Sequence, residues 1–457
     1  MKFSTNEINK ILGLINLNGS LKNNLIFNRV SIDSRKLFSD DLFLAIEGER
    51  YDGHDFLNEV IEKGIKAVVI NQGKEKLVPK NVPFWLVPNT KEAFLSLALF
   101  KRKKLNIPVV AITGSVGKTT TKEIASEVLR NYGNIKVSDK NFNNEIGVGL
   151  TIHSCDGSEK LLVLEMGMRG RGQIEILSKF SEPDIAVITN IGSAHIGILG
   201  SKDSIARAKC EITKFLNPKG IVIIPYGDPL LNIILKENWR GKVLQVKVVE
   251  KKLYKEKSSL KENYLLGIYD SSNNTIEVNN KIFDISLKGI HNAVNFLYVY
   301  AISTQLGIKF DNYNRYVFKS IEGRNNLVKT SKLTILDESY NASPESVKAC
   351  IKLLLEFPGR HFMAFGSMRE LGRKSIKYHK EIFQIIKSSD IQKCFFICDD
   401  DLKANLKNSV LNDEKILISN NLNHLVHLVN KITIKGDYLL IKGSRYWELD
   451  KIIPLIN

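Results

Sequence analysis

The segment AITGSVGKTTTKEIASEVL, residues 111–129, constrains the fold more than any other part of the chain. It completes an apolar run, IPVVAIT, that is typical of a buried parallel strand, and it leads into a polar helix. Gly114 and Gly117 allow backbone N–H groups to approach phosphate oxygens, and the helix after Lys118 points its positive end at the same place. The segment therefore predicts a phosphate-binding loop between a strand and a helix.

This loop is shorter than the common phosphate-binding loop, in which a glycine stands five positions ahead of the Gly-Lys pair. Here that position is Ile112, and the nearest upstream glycine, Gly114, makes the loop two residues shorter. Lys118 can still reach the β- and γ-phosphates as a point charge, and the Thr119 hydroxyl can bind Mg²⁺. A glycine turn before a polar helix is the alternative, but strand, loop, Lys-Thr pair and helix together favour a nucleotide site.

Length and composition indicate a multidomain globular protein. A chain of 457 residues predicts about three domains. We find no apolar run approaching the roughly 18 residues of a membrane helix, and the opening residues lack the layout of a secretion signal. They predict instead an amphipathic helix capped by Ser4 or Thr5. Because the five cysteines are scattered, we expect no disulfide framework, a cytoplasmic location and no stable membrane insertion.

The net charge of +17 raises nucleic acid as a partner. However, basic residues are spread along the whole chain, and the densest clusters, at 101–104 and 248–263, lack the interleaved aromatic residues of a stacking surface. We therefore expect solvated basic faces and no nucleic-acid partner. A basic surface also suits polyanionic small substrates such as nucleotides.

Segments typical of strands alternate with segments typical of helices, which predicts an α/β fold. We expect a small N-terminal α/β domain at 1–105, a central doubly wound domain at 106–320 and a C-terminal Rossmann-like domain at 321–457. Residues 241–285 are polar, with short alternating stretches, and predict a small antiparallel β insertion in the central domain.

Two further strands of the central domain end in polar residues. KLLVLEMG carries Glu165 at its end, and DIAVITNIGSAHIG places His195 just past another apolar strand. The carboxyl ends of neighbouring parallel strands meet at one crevice, where an acid can hold a metal ion. An ordinary strand-end glutamate and a structural histidine are the alternatives when each residue is taken alone.

Taken in order, several motifs resemble the Mur ligases: TGSVGKTTTK, LEMGMRGRGQI, NIGSAHIG, ARAKCEI and GIHNAVN. Three more resemble the member of that family that adds D-alanyl-D-alanine to UDP-N-acetylmuramoyl-tripeptide: LDESYNASP, GSMRELG and IKGSR. The N-terminal SIDSR fits the same member, so the resemblance covers essentially the whole chain. Mur ligases and the similar folylpolyglutamate synthases carry the shorter loop, and they use ATP to activate a carboxylate before joining it to an amine.

The resemblance also implies roles for single residues. It places the ATP site at Gly114, Ser115, Gly117, Lys118, Thr119, Thr120, Asn292, Asn295, Arg324 and Asp337. It implies metal ligation by Thr119, Glu165, His195 and a carbamylated Lys209, with His195 at a second Mg²⁺. It implies catalytic roles for Lys118, His195, Lys209 and Asn341, and contacts to the UDP part of the substrate from Ser34 and Arg35. Two of the positions that depart from the usual pattern are Ser367, where many members have Asp, and Gly149, where Pro is usual.

The reaction implied is an acyl transfer through an acyl phosphate, with ATP and Mg²⁺ as cofactors and D-alanyl-D-alanine as the amine. It would be the last cytoplasmic step of peptidoglycan precursor synthesis, carried out by a monomer. The nearest alternatives are a Mur ligase that adds a single amino acid and a folylpolyglutamate synthase. A kinase or a nucleic-acid ATPase is the alternative from another class, and the third peptide residue of the substrate stays open.

Overall fold

The computed structural model describes residues 2–13, 25–139, 141–254, 264–318, 322–407 and 413–456. Within these ranges the strands form four sheets of two, four, ten and six strands. Most neighbouring strands run parallel with helices between them, as the alternation of segments predicts. The predicted α/β class with three domains is confirmed.

The N-terminal part is built on a parallel sheet in the order β3-β4-β5-β6. Its elements are β1 (Phe3–Ser4), α1 (Thr5–Leu12), β2 (Ile26–Phe27), β3 (Arg29–Ser31), β4 (Asp41–Leu44), α2 (Leu57–Glu62), β5 (Val68–Asn71), β6 (Phe84–Val87) and α3 (Thr90–Leu105). Ser4 caps α1 through a capping box with Glu7, which confirms one of the two predicted caps. The buried rings of Phe27 and Trp85 meet edge to face in the core of this part.

The central part carries the ten-stranded sheet, in the order β16-β15-β14-β13-β12-β11-β10-β7-β9-β8. Its first half contains β7 (Val109–Thr113), α4 (Lys118–Val128), β8 (Ile135–Val137), α5 (Glu145–His153), β9 (Leu161–Glu165), α6 (Gln173–Ser181), β10 (Ile185–Ile188), α7 (Ile196–Leu199) and α8 (Lys202–Cys210). Its second half contains β11 (Ile221–Pro225), α9 (Pro229–Asn238), β12 (Lys242–Glu250), β13 (Tyr264–Asp270), β14 (Thr275–Val278), β15 (Lys281–Ile285), α10 (Ile290–Gln305) and β16 (Tyr313–Tyr316).

The predicted antiparallel insertion at 241–285 is wrong for its first half. Strand β12 pairs parallel with β11 and with β13, so it continues the main sheet. Only the pairs β13–β14 and β14–β15 are antiparallel. Alternating polar and apolar residues indicate a strand with one face exposed, but they do not reveal the direction of its neighbour.

The C-terminal part is a second α/β sheet, in the order β17-β18-β22-β19-β20-β21. Its elements are β17 (Asn326–Lys329), β18 (Leu333–Glu338), α11 (Pro344–Leu354), β19 (His361–Gly366), α12 (Ser375–Ser388), β20 (Ile391–Ile397), α13 (Asp400–Lys407), β21 (Ile416–Ser419), α14 (Leu422–Ile432) and β22 (Asp437–Lys442). All neighbours are parallel except the edge strand β17. Among the helices described here, none has the length and apolar character needed to cross a membrane.

The central and C-terminal parts share one hydrophobic core. Apolar residues of α7 and α8, such as Ile196 and Ile205, belong to the same buried cluster as Val347 and Ile351 of α11 and Met368. Polar contacts also join the two parts, among them an ion pair between Glu250 and Lys352. The two parts are therefore docked on each other in this structure.

Candidate active site

Three neighbouring strands end at one crevice. Strand β7 lies between β9 and β10 and runs parallel to both, with Ile112 opposite Glu165 and Thr113 opposite Ile188. The glycine loop, Glu165 and the segment that leads to His195 therefore leave the same edge of the sheet, where open α/β sheets bind ligands.

The glycine loop packs closely against the residue that follows β10 and against α10. Gly114 has φ +148°, and a Cβ there would lie 1.8 Å from Oγ1 of Thr189. Gly117 has φ +85° and precedes α4, and a Cβ there would lie 2.7 Å from Oδ1 of Asn295 on α10. Both positions require glycine because the backbone is left-handed or strained there and because no space remains for a side chain.

Asn190, just past β10, holds this loop in place. Its Oδ1 accepts hydrogen bonds from the N–H groups of Ser115, at 3.1 Å, and Val116, at 3.0 Å. Thr189 adds a bond of 2.6 Å from Oγ1 to the carbonyl oxygen of Val116. Two loop donors are thus bound by protein, which leaves the start of α4, with its unpaired N–H groups, as the part that can receive phosphate. No role was predicted for Asn190, although a polar residue just past a strand end is a signal of such a site.

Lys118 lies at the centre of the charged groups. Its Nζ donates to the carbonyl oxygen of Gly114 at 2.8 Å. Burial lowers the pKa of Lys118; the nearby carboxylate of Glu165 opposes this shift, and the cation of Arg324 adds to it. Lys118 therefore lies within electrostatic reach of Glu165 and of Arg324 from the C-terminal part.

Glu165 and Thr119 have the properties expected of metal ligands. Oε1 of Glu165 accepts from Nδ2 of Asn143 at 2.9 Å, while Oε2 is buried and has no hydrogen-bond partner in the described part of the chain. The hydroxyl of Thr119 likewise has none among the residues described, and Thr120 beside it is buried. An orphaned carboxylate oxygen fits a hard cation such as Mg²⁺, which completes its shell with water and phosphate. The described residues contain no cluster of three or more His, Cys, Asp or Glu that could hold a metal ion.

His195 faces the C-terminal part. Its Nδ1 lies 2.6 Å from Oε2 of Glu370, although the alignment is outside that of a hydrogen bond, and this contact lowers the pKa of Glu370. Two residues on, the N–H of Gly197 donates to the carbonyl oxygen of Glu370 at 2.9 Å. A Cβ on Gly197 would lie 2.7 Å from the nitrogen of Gly372, so main chain meets main chain at this point.

Lys209 is a buried lysine on α8. Burial holds the pKa of Lys209 well below its usual range, and the charge of Lys118 lowers it further. The structure thus places Lys209 within electrostatic reach of the loop lysine, which local sequence alone did not indicate.

The two asparagines of α10 share one face, as their spacing predicts. Nδ2 of Asn292 donates to Oδ1 of Asn325 at 2.9 Å, which links α10 to the C-terminal part. Nδ2 of Asn295 lies 3.4 Å from Oδ1 of Asn292, and Oδ1 of Asn295 accepts from Thr121 Oγ1 at 3.3 Å. Asn295 therefore lies against the glycine loop, and Asn292 lies between the two parts.

The predicted residues of the C-terminal part differ in their surroundings. The guanidinium of Arg324 lies 4.0 Å above the ring of Tyr340. Asp337 is buried and accepts hydrogen bonds from the N–H of Gly323 and from the N–H and hydroxyl of Ser339, so it shapes the adjoining turns. Asn341 is exposed.

Lys442 was missed by the sequence analysis, although it lies in the IKGSR motif. It is buried, and its Nζ donates to the carbonyl oxygen of Asn341 at 3.0 Å, which fixes the turn that carries the exposed Asn341 side chain. The only signal was a lysine at the end of a long apolar strand.

Arg35 and Ser34 make local contacts at the surface of the N-terminal part. Arg35 is exposed and forms two contacts with the carboxylate of Asp33, at 2.8 and 2.9 Å. The carbonyl oxygen of Ser34 accepts from Lys63 at 2.9 Å. The structure therefore shows a surface ion pair here, and a role in binding UDP stays a prediction.

The departures at Ser367 and Gly149 are both explained by packing. The hydroxyl of Ser367 is buried and accepts a hydrogen bond from Nε1 of Trp447 at 3.0 Å. At Gly149 on α5, a Cβ would lie 2.3 Å from the ring of Phe94 on α3, so the ring occupies the space that a side chain would need.

The fold and this site define an ATP-using ligase class, and the comparisons with known proteins agree. The chain matches three family models: the Mur ligase family catalytic domain over residues 27–102, the Mur ligase middle domain over 112–303 and the Mur ligase glutamate ligase domain over 323–445. The chain belongs to the Mur ligase family.

Individual members of this family are similar to the chain over most of its length. The chain is 34% identical over 445 residues to the UDP-N-acetylmuramoyl-tripeptide--D-alanyl-D-alanine ligase of Bacillus subtilis, which covers 94% of this chain and 93% of the relative. It is also 34% identical over 384 residues to the ligase of that name from Synechocystis, with 83% and 81% covered. Among solved structures, the MurF ligase of Thermotoga maritima in complex with ADP superposes with a TM-score of 0.80 at 27% identity, covering 94% of this chain and 97% of that one.

Proposed function

We propose that this chain joins D-alanyl-D-alanine to UDP-N-acetylmuramoyl-tripeptide with ATP as the energy source. The observation that carries the proposal is the glycine loop between β7 and α4, with Lys118 within electrostatic reach of Glu165 and Arg324, in a chain whose relatives bear that name. A lysine, an orphaned carboxylate and an arginine around a glycine loop suit the transfer of a phosphoryl group.

The reaction runs in two steps. A carboxylate oxygen of the tripeptide attacks the γ-phosphorus of ATP, the bond to the β–γ bridging oxygen breaks, and ADP leaves. The nitrogen of D-alanyl-D-alanine then attacks the acyl carbon of the resulting acyl phosphate, phosphate leaves, and the nitrogen loses a proton. Lys118 and Arg324 offset the negative charge that builds on the transferred group.

Thr119 and Glu165 would hold one Mg²⁺, because Oε2 of Glu165 and the hydroxyl of Thr119 lack partners within the described residues. The ion supplies charge compensation for the phosphates. We assign His195 and a carbamylated Lys209 to a second Mg²⁺. In that assignment His195 exchanges its contact with Glu370 for the metal.

The remaining substrate roles follow the same scheme. Asn292 and Asn295 bind the adenine, Asp337 the ribose and Asn341 the reacting groups, while Ser34 and Arg35 bind the UDP part. Arg35 then leaves Asp33 for a phosphate, which its planar fork suits. We assign the three domains to 1–105, 106–320 and 321–457, and propose a cytoplasmic monomer.

The test is a product assay. The chain is incubated with ATP, Mg²⁺ and D-alanyl-D-alanine, together with UDP-N-acetylmuramoyl-tripeptides that end in either lysine or a diamino acid, and the products are weighed. The expected product carries the added dipeptide and forms in step with ADP. Single amino acids serve as the control amines, because product from those alone would favour a ligase that adds one amino acid. ADP release without any amine would favour a kinase or another ATPase and would contradict the proposal.

A further inference from the structure

Glu345 connects the C-terminal part to the turn that follows β10. It stands in the first turn of α11, and its Oε1 accepts hydrogen bonds from the N–H of Ser193 at 3.0 Å and from its hydroxyl at 2.9 Å. The Nζ of Lys202 on α8 lies 3.3 Å from the same oxygen. One carboxylate thus binds two elements of the central part.

The turn that Glu345 binds also touches the glycine loop. Ser193 is fully buried, and next to it the N–H of Gly192 donates to Oγ of Ser115 at 2.9 Å. A Cβ on Gly192 would lie 3.0 Å from the Glu345 carboxylate and 3.1 Å from Cβ of Ser115. The residues on either side of this turn are Asn190, which holds the loop, and His195. A displacement of the turn would therefore reach both.

Glu345 is suited to carry a charge in this position. Burial raises its pKa, but the hydrogen bonds from Ser193 and the charge of Lys202 outweigh that effect, so the pKa of Glu345 is lowered. The start of α11, capped by Ser343, also favours an anion. Its other oxygen, Oε2, is buried without a partner in the described ranges and faces Gly192. Removing the acceptor would leave the buried N–H of Ser193 without its bond and would leave the Ser193 hydroxyl only the hydroxyl of Tyr378, at 2.9 Å.

We infer that Glu345 is a positioning residue for the proposed reaction. It holds the turn 190–195 in place when the C-terminal part is docked, and this turn holds the glycine loop. Glu345 makes no contact with the nucleotide in this scheme. It acts through Ser193, Gly192 and Ser115. The expected change in kcat rests on the proposed function, whereas the expected change in the mobility of the turn 190–195 does not.

The kinetic test compares two substitutions on the same helix. Glu345→Ala is expected to lower kcat about 10- to 100-fold, the range for losing hydrogen bonds to a charged group. Glu345→Gln, which keeps an acceptor oxygen for Ser193, is expected to recover most of that loss. Lys352→Ala is the matched control, because it breaks the ion pair with Glu250 between the same two parts but lies away from the turn. It should change kcat less than about twofold.

The structural test needs no activity. Amide hydrogen exchange of a peptide spanning 190–196 should speed up in Glu345→Ala and stay at the wild-type rate in Lys352→Ala. Equal exchange in both variants, or equal kcat, would overturn the inference, as would Glu345→Gln behaving like Glu345→Ala in both measurements. Wild-type protein that makes no dipeptide product, with exchange changed as expected, would count against the proposed function and leave the positioning role in place.

Discussion

The charge of Lys118 acts on Lys209, and together with burial it holds the pKa of Lys209 well below its usual range. Lys118 belongs to the glycine loop and Lys209 to α8, so the two meet only through the fold. A lowered pKa favours the neutral amine, which is the form that reacts with carbon dioxide. The product, a carbamate, is an anion and would be attracted to the cation of Lys118.

We therefore predict that activity depends on dissolved carbon dioxide. ADP release should fall in degassed, carbon-dioxide-free buffer and recover when bicarbonate is added. Lys209→Met should be about 10²-fold slower, the scale for losing one preorganised charged group, and should not respond to bicarbonate. Exposed Lys214→Met is the control and should keep the response. A wild-type rate that ignores bicarbonate would contradict the carbamate.

Replacing the loop lysine should affect catalysis far more than stability. Lys118→Met is expected to lower kcat at least about 10²-fold, since Lys118 is placed to offset charge on the transferred phosphoryl group. The unfolding temperature should hold or rise, because the variant no longer partly buries a cation whose one hydrogen bond among the described residues is to Gly114. Steady-state kinetics and thermal unfolding measure the two effects. A loss below about tenfold would remove Lys118 from the role assigned to it.

Two glycines with similar backbone angles should respond differently to alanine. Gly117 has φ +85° and faces Asn295, whereas Gly307 has φ +73° and has no atom within 4 Å of its missing Cβ. Both substitutions add about 1 kcal/mol of backbone strain. Only Gly117→Ala should also displace the loop and weaken nucleotide binding. Fluorescence titration with a labelled ADP would measure the difference, and equal affinities in the two variants would show that the contact with Asn295 is unimportant.

Two buried histidines should make the protein less stable in mild acid. Burial lowers the pKa of His153 to about 3 and that of His379 to about 4. Their pKa in the unfolded chain is about 6.5, so the unfolded state binds more protons below that pH, and stability falls as the pH drops towards the folded values. Each contributes a loss of about 2 kcal/mol by about pH 5.

The histidine prediction is checked by urea unfolding midpoints across that pH range. His153→Phe should reduce the slope, since its ring would still pack against Phe94, whose ring centre lies 4.6 Å from that of His153. His379→Gln should do the same, because Nε2 of His379 accepts from the N–H of Met368 and must stay unprotonated. A slope unchanged in both variants would assign the acid sensitivity to other groups.

The sequence predicted most reliably what depends on local pattern. The loop from Gly114 to Thr119 combines strand, glycines and helix start within a few residues, and the three strand ends followed from the rule for parallel sheets. Contacts between segments that are far apart in the sequence do not follow from local pattern. Asn190 and Glu345 are ordinary polar residues in the sequence, and their importance comes from the hydrogen bonds that the fold allows. For the same reason the direction of β12 was predicted wrongly.

For Arg35, the sequence motif and the structure indicate different partners. Its motif implied a substrate contact, yet its nearest acceptor is the aspartate two positions earlier. A charged side chain can pair with an opposite charge close to it in the sequence, as Arg35 pairs with Asp33. The motif predicts the substrate contact but not this competing ion pair.

At Gly197 and Gly372 the two large bodies of the molecule touch through peptide atoms alone. A side chain of any size at either glycine would have to push two main chains apart, with no flexible neighbour to give way. The fit between the two bodies at this point is therefore set by the course of the backbone and tolerates no residue larger than glycine on either side.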